Sequence, residues 1–256
     1  SKIAEPELIA CQKIDGYWQL TIQSPLHAHN AKPGHLYRLL LLNECKSPLI
    51  CSLAAQSGNT LTFFIPQEKI TAVMVGDPVS LMGPSGVRMR IDEEGRQTLI
   101  SDREGFVDLI SIYNAHRYIG TDVQWLHDGD ISEYKTLIES YDLEVSSMDI
   151  EDLKTIDSRR MIVMGSAALV KQISQVRNLL PKMEIVASVK GPAQCMLKGI
   201  CAQCFQWQVD PVTLKRTKAV FACSWQNEPI ELIDVDHLQS RNEQTKLWEK
   251  FSEFVS

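Results

Sequence analysis

From residue 97 to residue 189 the sequence alternates short apolar runs with stretches of helical spacing, and this alternation restricts the fold more than any other feature. Residues 97–101, 122–126, 143–146, 160–164 and 184–189 read as strands, being short and rich in apolar residues. Between them, residues 105–116 repeat apolar side chains at Phe106, Leu109, Ile110 and Tyr113, the spacing of one helical face. Residues 132–140 and 167–180 also read as helices, the second ended by Pro181. Parallel strands need a crossover between them, and a helix supplies it. The expectation is an α/β parallel-sheet domain over residues 94–191, with helices on both faces.

Residues 1–93 follow a different pattern. Segments 17–22, 35–42, 60–65 and 78–82 are strand-like, with residues 73–77 leading into the last. Pro33-Gly34, Ser57-Gly58-Asn59 and Gly83-Pro84-Ser85-Gly86 separate them as turns. Short strands divided by regular turns predict a β-barrel domain. The third region, residues 192–256, holds a predicted hairpin that turns at residues 209–213 and a charged helix at residues 236–255.

Seven cysteines are unevenly placed. Cys11, Cys45 and Cys51 are scattered and read as small buried hydrophobes. Cys195, Cys201, Cys204 and Cys223 fall within 29 residues, with gaps of five, two and 18. Thiolates suit iron–sulfur clusters and zinc. One close pair flanked by two single cysteines departs from a zinc ribbon, in which two similar pairs face each other. It suits a loop wrapped around a cluster with a distant fourth ligand. Gly199 and Ala202 leave room for backbone N–H groups to approach sulfur. Zinc, or four buried thiols without metal, are the competing readings. Trp207 and Trp225 flank the loop and would shield it from water.

A net charge of −6 argues against a nucleic-acid surface. No apolar run reaches the roughly 18 residues of a membrane helix, and no export signal precedes the first strand, so the expected compartment is the cytoplasm. The first residue is Ser1, not Met, which suggests a piece of a longer polypeptide whose other parts act as partners.

The order barrel, α/β domain, cysteine loop resembles the ferredoxin–NADP reductase superfamily. Within it, the chain resembles the electron-transfer subunit of dihydroorotate dehydrogenase and the small subunit of NADH-dependent ferredoxin:NADP oxidoreductase. The run Cys195-Met-Leu-Lys-Gly-Ile-Cys201-Ala-Gln-Cys204 and the later Phe221-Ala222-Cys223 carry the resemblance most strongly. Lys32-Pro33-Gly34-His35-Leu36, Ser47-Pro48-Leu49-Ile50 and Gly76-Asp77 followed by Gly83-Pro84-Ser85-Gly86 match the barrel. The resemblance implies a [2Fe–2S] cluster on Cys195, Cys201, Cys204 and Cys223. It also implies FAD against Pro48, Leu49, Ile50, Gly83, Pro84, Ser85 and Gly86.

Two departures shape the functional expectation. Ser47 and Ile50 stand where the family often carries an Arg and a hydroxyl that contact the flavin or its phosphates. Ser101-Asp102-Arg103-Glu104-Gly105 stands where a Gly-rich turn meets a pyrophosphate, and Met164-Gly165-Ser166 replaces Cys-Gly-Pro. Asp102 and Glu104 would place carboxylates against phosphate charge, so NAD(P) binding is expected to be weak or absent. The function implied is an electron-transfer module of an oxidoreductase, passing electrons between FAD and the cluster and on to a partner subunit or domain. An orthodox NAD(P)H-dependent reductase and a zinc-stabilised structural or assembly domain are the alternatives.

Overall fold

The computed structural model describes residues 5–43, 48–86, 88–190, 205–221, 227–237 and 240. Strands β1 (Glu7–Ile14) and β2 (Tyr17–Gln23) form an antiparallel hairpin. Their turn places Asp15 at φ 45° and Gly16 at φ 83°. An Asp-Gly pair meets that backbone demand cheaply, and such a turn matches the twist of the strands it joins. After the short helix α1 (Pro25–His29) come β3 (Leu36–Leu41), β4 (Leu49–Ser52), β5 (Ala55–Ser57), β6 (Thr60–Pro66) and β7 (Val79–Ser85). They form two antiparallel sheets, ordered β1-β2-β6-β5 and β4-β3-β7. A bridge between Glu7 and Pro78 links the two. Both wrap one core that includes Leu8, Leu20, Ile22, Leu39, Leu61 and Phe63, each fully buried.

The predicted barrel is thus two linked sheets around one core. β1 lies ahead of the first strand read from the sequence. Residues 73–77 form a loop, not a strand, because Asp77 accepts from Met74 N and folds the segment back on itself. Gly83, Pro84 and Ser85, expected as a turn, continue β7. Gly83 has φ 139°, and a Cβ there would lie 2.9 Å from the Tyr37 ring and 3.0 Å from Leu36 O. Without a side chain at that point, β7 stays against β3 through a register shift between Leu36 and Arg38.

The second region is a six-stranded sheet. Its strands are β8 (Gln97–Ser101), β9 (Val123–His127), β10 (Val145–Ser147), β11 (Arg160–Gly165), β12 (Glu184–Val189) and β15 (Glu228–Pro229), with the hairpin β13 (Phe205–Val209) and β14 (Arg216–Phe221) between the last two. The order is β10-β9-β8-β11-β12-β15, parallel except for β15. Helices α2 (Ile110–Tyr118) and α3 (Lys135–Ser140) follow β8 and β9, and α4 (Ala167–Val176) follows β11. The predicted helices are shorter than expected because 3-10 turns at Val107–Leu109, Ile131–Tyr134 and Arg177–Leu179 take part of each.

Both faces of this sheet are buried. Leu99, Ile162 and Val186 are cross-strand neighbours in one core, and Ile100, Val163 and Ala187 in the other. The first core also takes in Ile14, Tyr17, Ala54, Phe64 and Met89, so it is continuous with the N-terminal sheets. The Asp15 carboxylate accepts from Leu137 N at 2.7 Å, satisfying a donor in the first turn of α3 from across that boundary. At the other end of the sheet, buried Arg160 donates to Gln97 Oε1 at 2.7 Å and to Arg90 O at 2.6 Å, pinning the connection between the two regions. Among the described residues no helix is long and apolar enough to cross a membrane.

Candidate functional site

Leu49, Ile50 and Gly83, Pro84, Ser85 lie on the two strands that flank β3, and Pro48 immediately precedes the first of them. The register sets Arg38 opposite Ile50 on one side and Met82 on the other, and Leu36 opposite Ser52 and Ser85. Opposed residues in an antiparallel pair point to the same face. Tyr37 and Cys51, the intervening pair, point into the core and are 0% and 4% exposed. The other face therefore carries Ile50, Arg38, Met82 and Ser52, all partly or fully exposed. Ile50 and Ser85 of the two predicted segments thus share this surface, whereas Leu49 opposes Leu39 and packs against the core, and Gly86 lies just beyond β7. Burial pushes the Cys51 thiol well above its ordinary range, so it stays protonated and inert.

Sequence reasoning missed Arg38. Its guanidinium makes no hydrogen bond or ion pair among the described residues. Arg90, Arg96, Arg117, Arg159, Arg177 and Arg216 each pair with a carboxylate, and Arg160 with Gln97. Arg88 and Arg103 are exposed, whereas Arg38 is half-buried. Only strand register brings it between the two predicted segments, and one sequence does not specify register.

The strand order of the parallel sheet reverses between β8 and β11, and open sheets of this kind bind ligands at such a point, beyond the carboxyl ends of the strands. Here that crevice is bridged by the chain itself. The Asp102 carboxylate accepts from Ser166 N at 3.1 and 3.2 Å and from Ser166 Oγ at 2.6 Å. It also accepts from Glu104 N at 3.0 Å. Ser166 is the N-cap of α4, and its Oγ accepts from Leu169 N. A carboxylate thus sits where a helix N-terminus would receive an anion. Asp102 was expected at the phosphate position; its partner there, Ser166, was not foreseen. A Cβ on Gly105 would lie 1.9 Å from Met164 O, and one on Gly165 would lie 2.6 Å from Asp102 Oδ1. The two strand ends fit only because both positions are glycine. The Met164 side chain belongs to the core.

Beside this crevice, Phe106 stacks on Tyr134 at 3.8 Å and meets Trp125 and His127 at 4.8 and 5.2 Å. Trp125 Nε1 donates to Ser101 Oγ, which lies 2.9 Å from His127 Nδ1. Burial lowers the His127 pKa to about 4, against the opposing pull of Asp102. The imidazole is therefore neutral at pH 7. Tyr17 shares a hydrogen bond with Tyr134, and burial pushes the Tyr134 hydroxyl up to about 12. Between the two regions, Ser52 Oγ donates to Asp108 Oδ1, and Lys190 Nζ lies 3.5 Å from the same oxygen.

Cys195, Cys201, Cys204 and Cys223 lie outside the described residues, as does most of the predicted terminal helix. The hairpin between them is described. Phe205 pairs with Phe221, and Asp210 accepts from Val212 N and Thr213 N to shape the turn. Its inner strand is anchored by Gln206 and Gln208, whose amides both donate to the Glu228 carboxylate on β15, the second at 2.7 Å. All three side chains are buried. Among the described residues there is no group of three or more His, Cys, Asp or Glu arranged to hold a metal.

No family model matches the chain. It is 28% identical over 249 residues to the uncharacterized protein RP006 of Rickettsia prowazekii (strain Madrid E), a match covering 93% of this chain. The chain spans 31% of the length of that relative. Among solved structures it is similar to NADH-dependent reduced ferredoxin–NADP oxidoreductase, from work on flavin-based electron bifurcation. That likeness has a TM-score of 0.78 at 18% identity and covers 99% of each chain. It is also similar to the ferredoxin reductase of carbazole 1,9a-dioxygenase, with a TM-score of 0.60 at 16% identity over 72% of this chain and 66% of that one. A third likeness is to phthalate dioxygenase reductase, described as a modular structure for electron transfer from pyridine nucleotides to [2Fe–2S]. Its TM-score is 0.52 at 13% identity, over 86% of this chain and 77% of that one.

Proposed function

Because the chain has the fold of the ferredoxin–NADP reductase superfamily, we propose that it is an electron-transfer module of an oxidoreductase. In this reading it holds FAD on the β4-β3-β7 face and a [2Fe–2S] cluster on Cys195, Cys201, Cys204 and Cys223. The division is residues 1–93 for the flavin, 94–191 for the nucleotide-like domain and 192–256 for the cluster. The observation that carries the reading is the β13–β14 hairpin. Phe205 pairs with Phe221, and in the sequence Cys204 stands one residue before and Cys223 two residues after that pair. Four thiolates supply the soft donor set that a cluster needs.

The described residues fit a flavin. Ile50 and Met82 offer apolar surface, and Arg38 offers a cation with no partner among the described residues. When bound, a flavin exchanges electrons in pairs or singly, whereas a cluster takes them one at a time. The chain's own part is to bind, orient and exclude water. The Ser52–Asp108–Lys190 contact fixes the end of β4 against the second region.

Weak or absent NAD(P) binding is part of this reading. The anion position at α4 is taken by Asp102, and a pyrophosphate there would meet a carboxylate. Electrons then come from another subunit or from the remainder of a longer polypeptide, in keeping with a relative more than three times the length of the matched segment. Serine substitution of Cys201 tests the cluster. It should abolish the iron signal of anaerobically purified protein and leave the thermal transition intact. Full iron retention in the variant would contradict the assignment.

A further inference from the structure

We propose that Arg38 is the phosphate anchor of this flavin site, gripping the pyrophosphate of FAD from strand β3. The inference rests on the flavin reading and adds a residue that the sequence did not offer. Position 47 carries Ser where the family's flavin-contacting segment often carries Arg, so the usual cation is missing. Arg38 stands on the neighbouring strand, directly opposite Ile50, three positions along from Ser47. Adjacent strands lie about 4.8 Å apart, well within the reach of an arginine side chain.

The surroundings of Arg38 are unusual for an arginine with no role. It is half-buried between Ile50 and Met82, so part of its hydration is lost, yet no carboxylate or carbonyl compensates it among the described residues. The other partly or fully buried arginines, Arg160 and Arg177, are both hydrogen-bonded. A guanidinium kept free on a face flanked by Ser52 and Ser85 is matched by a dianion with paired oxygens. The planar fork binds phosphate through two parallel hydrogen bonds, which a lysine does not reproduce. Asp108, which accepts from Ser52 on this face, is also engaged by Lys190.

The test is a titration of the full chain with FAD and with riboflavin, which has the same ring and no phosphate, followed by flavin fluorescence and calorimetry. The wild-type chain should bind FAD more tightly than riboflavin. Arg38→Gln should weaken FAD at least tenfold and leave riboflavin unchanged, and Arg38→Lys should fall between. FAD affinity should also drop with added salt in the wild type and less so in Arg38→Gln. Equal FAD affinity in Arg38→Gln and wild type, or equal losses for both flavins, would overturn the role of Arg38 while leaving the flavin reading intact. Wild-type protein that takes up neither flavin would overturn both. Near-UV circular dichroism checks the fold of each variant. Should Arg38→Gln fail to fold, Arg38→Lys decides, and unchanged FAD affinity in it would refute the bidentate grip.

Discussion

Asp102 shows how a residue's position can be read from sequence while its partner is missed. The sequence places it in the turn after the first α/β strand, where a carboxylate repels phosphate. The structure turns it into a substitute for the phosphate, bonded to the N-cap of α4. Removing it costs several charge-assisted hydrogen bonds. Asp102→Ala should therefore destabilise the chain by about 1–3 kcal/mol in urea denaturation. It should also raise NADH affinity from a low baseline, as read by calorimetry. Unchanged stability in that variant would show that the carboxylate contributes nothing where it sits. His127 gives a pH-dependent counterpart. Unfolded imidazole takes a proton below pH 6.5, whereas the buried ring, its pKa lowered by burial, refuses one until about pH 4. The unfolded state thus binds more protons in that window, and stability falls as pH drops through it. The expected loss is roughly 3 kcal/mol between pH 7 and pH 4. Buried His116, also lowered chiefly by desolvation, adds in the same direction. His127→Asn should flatten the denaturation profile in part, and an unchanged slope would assign the effect to other groups.

At the scale of elements, β8, β11 and β12 were legible because each is a short run buried on both faces, so no register is needed to find it. The N-terminal sheets were less so. β1 has a mixed pattern with only Leu8 and Ile14 buried, and the Asp15-Gly16 turn that defines it was the available signal. The expected turn at Gly83 became strand because a glycine serves close approach as well as reversal. The same ambiguity hid the reason for Gly105. Its replacement by Ala would push a methyl group against Met164 O and should cost more than about 3 kcal/mol, measured by thermal or urea unfolding. The hairpin depends on a buried carboxylate. Burial raises the Glu228 pKa, opposed by the two glutamine amides and Lys218. Glu228→Ala leaves those amides unpaired in the interior. Hydrogen exchange should then quicken at 205–221 and stay slow in β8 and β11. Uniform quickening would mean that the hairpin and the sheet unfold together.

For the whole molecule, the passage from antiparallel sheets to a parallel sheet was readable from the change of hydrophobic pattern, and the electron-transfer reading rests on the family resemblance that this order and the cysteine motif carry. The pairing of Arg38 with the flavin segments and of Asp102 with Ser166 were not readable, because both join residues far apart in sequence through register and packing. They have a common consequence. Under the proposed function, a flavin face where Arg38 has no partner among the described residues and a nucleotide crevice that holds the chain's own Asp102 carboxylate describe a module fed from outside. The most direct test is the visible spectrum and metal content of the full chain purified without oxygen. The account predicts a coloured protein with flavin and iron–sulfur absorption, iron and acid-labile sulfide in equal amounts, and no bleaching on addition of NADH or NADPH alone. A colourless protein holding zinc, or rapid bleaching by either nucleotide, would contradict it.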